Sequence, residues 1–202
     1  RERIPRGLQL PPEKIVQTVQ VLTPMHRGLL GTIQLNRELQ NLLNPAGEAL
    51  ERGGLLLRVH DKVMQLRNNY DKGVFNGDLG QIVGIDKEEG KIRVDFDDKI
   101  VEYEADELDE ISLAYATSVH KSQGSEYPAV VIPLHTSHYM MLYRSILYTA
   151  VTRGKKLVIV VGSRKALAMA IRNVRVEKRN TGLKEKLAAA SAAPSFEFLV
   201  PS

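Results

Sequence analysis

The sequence predicts an α/β protein in which a small β-barrel interrupts a layered domain. Three observations carry that prediction. Apolar runs of strand length at Val19–Leu22, Ala129–Ile132 and Leu157–Val161 alternate with polar loops and helical periodicity. From about Val59 to Leu108 the grammar changes to short strands parted by turn residues, with no helix. Beyond that stretch the first grammar resumes, so two parts of one layered domain flank the barrel.

In chain order, Thr18–Thr23 reads as a strand stopped by Pro24, followed by a glycine-rich turn holding His26, Arg27, Gly28 and Gly31. Thr32 is expected to cap a helix that carries Ile33, Leu35, Leu39, Leu42 and Leu43 and ends at Asn44-Pro45. Val63–Leu66, Gly80–Ile85, Ile92–Phe96 and Ile100–Tyr103 are the barrel strands. Asn76-Gly77-Asp78, Lys87–Gly90 and Asp97-Asp98 are the turns between them, and the set reads as an SH3-like or OB-like barrel. Ile111–Ala116 is a strand leading into a loop at His120, which joins it to a short helix. A helix then runs from about Tyr143 to Thr152, and Lys156–Gly162 is a further buried strand. Ser163 caps a last helix with Ala166, Leu167, Ala170 and Ile171 inward. Beyond about Arg175 the chain turns basic, then rich in Ala and Ser, and reads as a flexible tail. The expected divisions are residues 1–58 and 111–175 for the layered domain, 59–110 for the barrel and 176–202 for the tail.

Composition removes several classes. With no cysteine in 202 residues, a disulfide scaffold is excluded and a structural zinc site is disfavoured. The five histidines lack metal-ligand spacing, so no metal ligand is expected. No apolar run approaches the length of a membrane span and the N-terminus has no signal-peptide core; a cytoplasmic location without a membrane partner is expected. The chain lacks an initiator Met, and is expected to begin inside a longer protein.

The net charge of +4 conceals an asymmetry. Asp86–Glu110 holds twelve acidic and four basic residues; the remainder holds 24 basic and 12 acidic. A basic surface for a polyanion, with an acidic lobe turned away from it, explains this pattern. Two solvated faces with no partner is the plainer alternative.

Two strings carry the most chemistry. Thr117–Glu126 (Thr-Ser-Val-His-Lys-Ser-Gln-Gly-Ser-Glu) offers small hydroxyls, His120, Lys121 and backbone N–H groups beside a strand end, where α/β folds bind phosphates. Tyr148–Gly154 places Arg153 at a helix end, from which a guanidinium can reach a nucleotide on a neighbouring domain. A capped turn and an arginine favoured by the helix dipole are the bland counterparts. Arg27, in its glycine-flanked turn, suits phosphate as well as solvent. In the barrel, Arg67–Gly77 mixes cations, the amides Asn68 and Asn69, and the aromatics Tyr70 and Phe75, which are ingredients of a single-strand stacking platform. Phe75 is expected to plug the barrel's end instead. Gly154-Lys155-Lys156 is not a P-loop, because the leading glycine and following hydroxyl are missing.

In combination these strings resemble the C-terminal half of a superfamily 1 DNA helicase of the RecD-like type, over about Val19 to Ile171. Gln20–Gly28 with Leu35-Asn36 resembles that family's motif IV, Thr117–Glu126 its motif V, and Leu147–Arg153 its motif VI. Val63–Tyr70 with Val74–Gly80 is similar to the opening of its inserted SH3-like barrel. His120-Lys121-Ser122-Gln123-Gly124 looks like the 5′→3′ group, and Tyr148–Arg153 looks more like RecD than like Pif1 relatives.

The resemblance implies a second RecA-like domain, of the P-loop NTPase type, interrupted by an SH3-like barrel. It implies that Arg153 is an arginine finger and Arg27 a second γ-phosphate sensor. Gly124 and Glu126 would line the ATP cleft. Thr117, His120, Lys121 and Ser122, with Asn68, Asn69 and Tyr70 of the barrel, would meet single-stranded DNA. The P-loop and the acidic pair that holds Mg2+ have no counterpart in the sequence, so the expected partner is the protein's own first RecA-like domain, and the chain alone is expected not to hydrolyse ATP. Repair or replication proteins are further candidate partners, with Ser195–Val200 as a candidate docking hexapeptide. A stand-alone nucleic-acid-binding module is the competing reading.

Overall fold

The structure, a computed structural model, describes residues 15–97 and 99–174. The reading of the tail and of its hexapeptide lies outside the described residues.

A one-turn helix α1 (Ile15–Thr18) leads into β1 (Val19–Thr23), and α2 spans Thr32–Leu43. A hairpin follows, β2 (Ala49–Arg52) and β3 (Leu55–Arg58), turned by Gly53 and Gly54, both at positive φ. The sequence reading missed this hairpin, although a Gly-Gly pair between alternating residues is a strong turn signal. Next come β4 (Lys62–Gln65), β5 (Leu79–Asp86), β6 (Lys91–Phe96), β7 (Lys99–Tyr103) and β8 (Ile111–Leu113). They form one antiparallel sheet in the order β7-β6-β5-β4-β8.

The run Ile111–Ala116, expected as one strand, is two. Ile111–Leu113 closes the barrel sheet against β4, and β9 (Ala116–Ser118) joins β1 in parallel. Then β10 (Tyr127–Leu134), α3 (Arg144–Val151), β11 (Gly154–Gly162) and α4 (Arg164–Arg172) complete the layered domain. Its sheet is wholly parallel, in the order β11-β10-β1-β9.

Two separate cores result. Leu22, Val130, Ile132, Leu134, Ile146, Ala150 and Ala166 pack the layered domain. Val63, Ile82, Ile92, Val94, Val101 and Tyr103 pack the barrel. Each fully buried aliphatic side chain contributes about 1.5–3 kcal/mol.

Three element-level expectations need correction. Thr32 does not cap α2: Gly31 is the N-cap, and the Thr32 hydroxyl sits 2.7 Å from His26 Nδ1. The buried face of α2 is also polar, made of Thr32, Asn36 and Gln40, while Ile33 and Leu42 are exposed. Finally, β11 is an edge strand, with Val160 and Val161 about half exposed, and Ile171 on α4 is 47% exposed. Apolar composition had suggested burial on both faces; an edge position leaves one face and one side open. Ser163 caps α4 as expected, accepting from the Ala166 amide at 3.1 Å.

Candidate functional site

Strand register fixes where each candidate residue lies. Thr23 at the end of β1 is level with Ser118, Val19 at its start is level with Ala129, and Tyr127 is level with Gly154. The segment 119–126 therefore runs from the C-terminal edge of the sheet back to its N-terminal edge. At 3.3 Å per residue the two edges are about 20 Å apart.

Arg153 stands at the N-terminal edge, directly before β11. Its Nη1 donates to the Ser125 carbonyl at 3.1 Å, and its Nε to the Thr149 carbonyl at 3.3 Å. The Tyr127 amide donates to the Arg153 carbonyl at 2.8 Å, so the ends of the two strings are joined through both backbone and side chain. Gly124 lies nearby in sequence at φ +87°, a left-handed turn that other residues enter only under strain. Glu126 is exposed and pairs with Lys155 at 3.2 Å. A guanidinium, an ammonium and a carboxylate thus share one rim of the sheet.

At the opposite edge, the turn after β1 and the turn after β9 lie side by side. The Val119 amide donates to the Thr23 carbonyl at 3.1 Å. A groove of about 500 Å³ opens there, walled by His26, Ile33 and Asn36 on one side, Thr117, Ser118 and Lys121 on another, and Met64 and Ser112 of the barrel sheet. Asn36 shapes it: its Nδ2 donates to the Ala116 carbonyl at 2.9 Å and its Oδ1 accepts from the Ala116 amide at 2.8 Å. One side chain thereby satisfies the free edge of β9 as a strand would. Gly31 is required in the neighbouring turn, since a Cβ there would lie 2.6 Å from the carbonyl oxygens of His26 and Arg27.

Arg27 is exposed on this second edge, not beside Arg153. Thr117 and Ser122 are both buried. Thr117 is 5% exposed and shares its hydroxyl with Gln20, and buried Ser122 donates to the Val119 carbonyl at 2.8 Å. Both hydroxyls hold the loop's shape, leaving His120, Lys121 and Gln123 as exposed polar side chains of the turns, with Lys121 lining the groove. The loop itself is a run of turns from Val119 to Gly124 in place of the short helix expected.

On the barrel, Tyr70 is 77% and Phe75 46% exposed, in edge-to-face contact with ring centres 6.0 Å apart. Phe75 is not the plug expected; the closing apolar residue is Val74, which is 1% exposed. Asn68 Oδ1 accepts from the Asn76 amide, and Asn69 bridges the Lys72 amide and the Glu110 carboxylate. Asn69 is thus committed to shaping the loop. Lys72 pairs with Glu107, and that contact, ahead of the opposing burial, holds the Glu107 carboxyl below its ordinary range.

Sequence reasoning missed the junction between the two cores. Asp61, fully buried, accepts from Gln40, Asn44, Tyr115 and the Arg58 amide at 2.5–2.8 Å. Burial, with the Asp61 charge second, pushes the Tyr115 phenol well above its ordinary pKa. Next to it Lys62, 4% exposed, donates to the Val16 and Val19 carbonyls at 3.0 and 3.3 Å. Burial lowers its pKa from 10.5 to about 7. A lone Asp-Lys pair ahead of a strand carries no signal of burial in the sequence. Among the described residues no group of three His, Asp or Glu side chains is placed to hold a metal, and no helix is long and apolar enough to cross a membrane.

The comparisons with known proteins agree with this architecture. Residues 35–96 match the ATP-dependent RecD-like DNA helicase SH3 domain, and residues 113–161 match the UvrD-like helicase C-terminal domain. The chain is 42% identical over 172 residues to the ATP-dependent RecD2 DNA helicase of Deinococcus radiodurans, covering 85% of this chain and 24% of that protein. It is 31% identical over 169 residues to the RecBCD enzyme subunit RecD of Mycolicibacterium smegmatis, covering 83% and 29%. Among solved structures, Bacteroides Pif1 bound to ssDNA superimposes with a TM-score of 0.54 at 17% identity, over 92% of this chain and 52% of that one. A structure of two Pif1 helicases at forked dsDNA gives 0.57 at 18% identity, over 92% and 49%. At such identities the likeness is one of fold. The chain spans about a quarter of the length of the curated relatives. With an SH3-like barrel set inside a parallel α/β layer and the sequence kinship to RecD2 and RecD, the chain belongs to the RecD-like helicase family.

Proposed function

We propose that the chain is the C-terminal motor portion of an ATP-dependent 5′→3′ DNA helicase. The observation that carries this is the division of the sheet into two rims joined by one loop. The rim with Arg153, Gly124 and Glu126 faces nucleotide, and the rim with Arg27, His120 and Lys121 faces single-stranded DNA. Segment 119–126 spans both, so a shift at the DNA groove reaches the Ser125 carbonyl that holds Arg153.

The residues of the first rim fit one side of a bound nucleoside triphosphate. Arg153 would meet the phosphate that is transferred, where a guanidinium is worth roughly 10³–10⁵ in rate, and Gly124 would let the backbone approach. ATP supplies the phosphoryl chemistry. The Mg2+ that accompanies it would be held by residues other than those described, in the protein's first RecA-like domain, and the chain alone would be inactive. On the second rim, cations would take phosphates while exposed Ile33 meets bases, and on the barrel the exposed Tyr70–Phe75 pair would stack on bases. In this reading Thr117, Ser122 and Asn69 position the loops. The protein would work in the cytoplasm on DNA, alongside repair or replication proteins.

Titration of the 202-residue chain with labelled single-stranded DNA at several salt concentrations tests the DNA assignment. Phosphate contacts require affinity to fall steeply with salt; a flat response refutes it.

A further inference from the structure

We propose that the groove between the β2–β3 hairpin and residues 104–110 docks a basic, amphipathic peptide segment of a partner protein. Its volume is about 410 Å³. The floor is apolar, with Leu57 and Leu108 buried and Leu50 and Leu55 half-buried against the barrel core. Ala105, Asp106 and Asp109 complete the lining.

The charge of this face selects the occupant. One wall of it, residues 104–110, belongs to the segment with twelve acidic and four basic residues, and the charged residues of the lining are Asp106 and Asp109, so nucleic acid is repelled from it. An acidic surface that served only to repel phosphate would need no apolar trough. A trough of leucines beside carboxylates matches apolar side chains flanked by lysine or arginine. Most neighbouring carboxylates are already engaged: Glu107 by Lys72, Glu89 and Glu104 by Lys91, and Asp109 by Arg67. Asp106 has no ion-pair partner among the described residues, and is the anion left for a docked cation.

The hairpin also stands to gain from an occupant. A two-stranded sheet is marginal by itself, and this one is tied to α2 through a bond from Gln40 to the Leu56 carbonyl. Leu55 lines both this groove and the 500 Å³ groove, so the hairpin is the wall between them. A peptide seated on one side braces the wall of the other.

The test uses the 202-residue chain with a fluorescent amphipathic lysine–leucine peptide and its glutamate–leucine counterpart. The lysine peptide binds saturably, with amide chemical-shift changes confined to residues 50–57 and 105–109, and the glutamate peptide does not bind. Asp106→Lys weakens binding about tenfold, as does Leu50→Ser, with unchanged circular dichroism. Glu88→Lys, on the exposed β5–β6 turn, leaves it unaltered. Absence of binding, or equal losses in Glu88→Lys and Asp106→Lys, overturns the proposal, the second outcome marking diffuse attraction to an acidic surface.

Discussion

The guanidinium of Arg153 is bonded to the carbonyl of Ser125 at 3.1 Å, so the loop that begins at one edge of the sheet ends on the arginine at the other. Neither residue is informative by itself. Their contact converts two separate strings of sequence into one mechanical link.

If that link ends at a phosphate, Arg153→Ala in the complete helicase abolishes DNA-stimulated ATPase and leaves single-stranded DNA binding nearly intact. The loss is on the order of 10³-fold. Normal turnover in the variant removes the finger assignment.

Arg27 lies on the edge proposed to meet DNA, and Arg27→Ala should act differently. Affinity for single-stranded DNA falls and its log–log dependence on salt becomes shallower by about one unit, with ATPase at saturating DNA preserved. A raised KM for ATP with unaltered DNA binding returns Arg27 to the nucleotide.

Tyr70→Ala and Phe75→Ala each cost about 1–2 kcal/mol of single-strand affinity, with an unchanged salt slope, since stacking releases no counterions. Equal affinity in both variants removes the barrel loop from the track.

Lys62 makes stability depend on pH. Its pKa falls from 10.5 to about 7 on folding, so between those values the unfolded chain binds more protons than the folded one. Stability contributed by this site therefore rises with pH through that window, by up to about 1.4 kcal/mol per unit, and the penalty of a buried charge is complete below pH 7. Urea unfolding across this range should show the slope, and Lys62→Met should remove it. An identical slope in the variant assigns it to other groups.

Asn36→Leu strips two partners from the Ala116 backbone and is expected to cost about 3 kcal/mol, read as a fall in the urea midpoint. A cost below about 0.5 kcal/mol means that solvent replaces both bonds.

Sequence patterning was sufficient for most of the strands and for the change from α/β to barrel, because period and turn residues are local, although the Gly53-Gly54 hairpin was missed despite its local turn signal. It failed where neighbours decide. Ile33 and Leu42 looked like a buried stripe, yet Asn36 and Gln40 are the residues turned inward, for partners 80 and 16 residues away in sequence. Val160 and Val161 looked buried, and their edge position depends on strand order. At the site, the residue types of both strings were legible; which rim each occupies followed only from register, and this separated Arg27 from Arg153. Asp61 and Lys62 were invisible for the same reason.

The polar inner face of α2 has one more consequence. Oily helix faces slide and re-seat with little penalty, because dispersion contacts are interchangeable. Asn36 and Gln40 instead engage fixed addresses on Ala116, Leu56 and Asp61. The helix is indexed like a key in its wards: rotation by one residue misses every address at once. If the domain repeats a stroke, as the proposed motor role requires, such indexing lets the rim that carries Lys121 return to one position after each displacement.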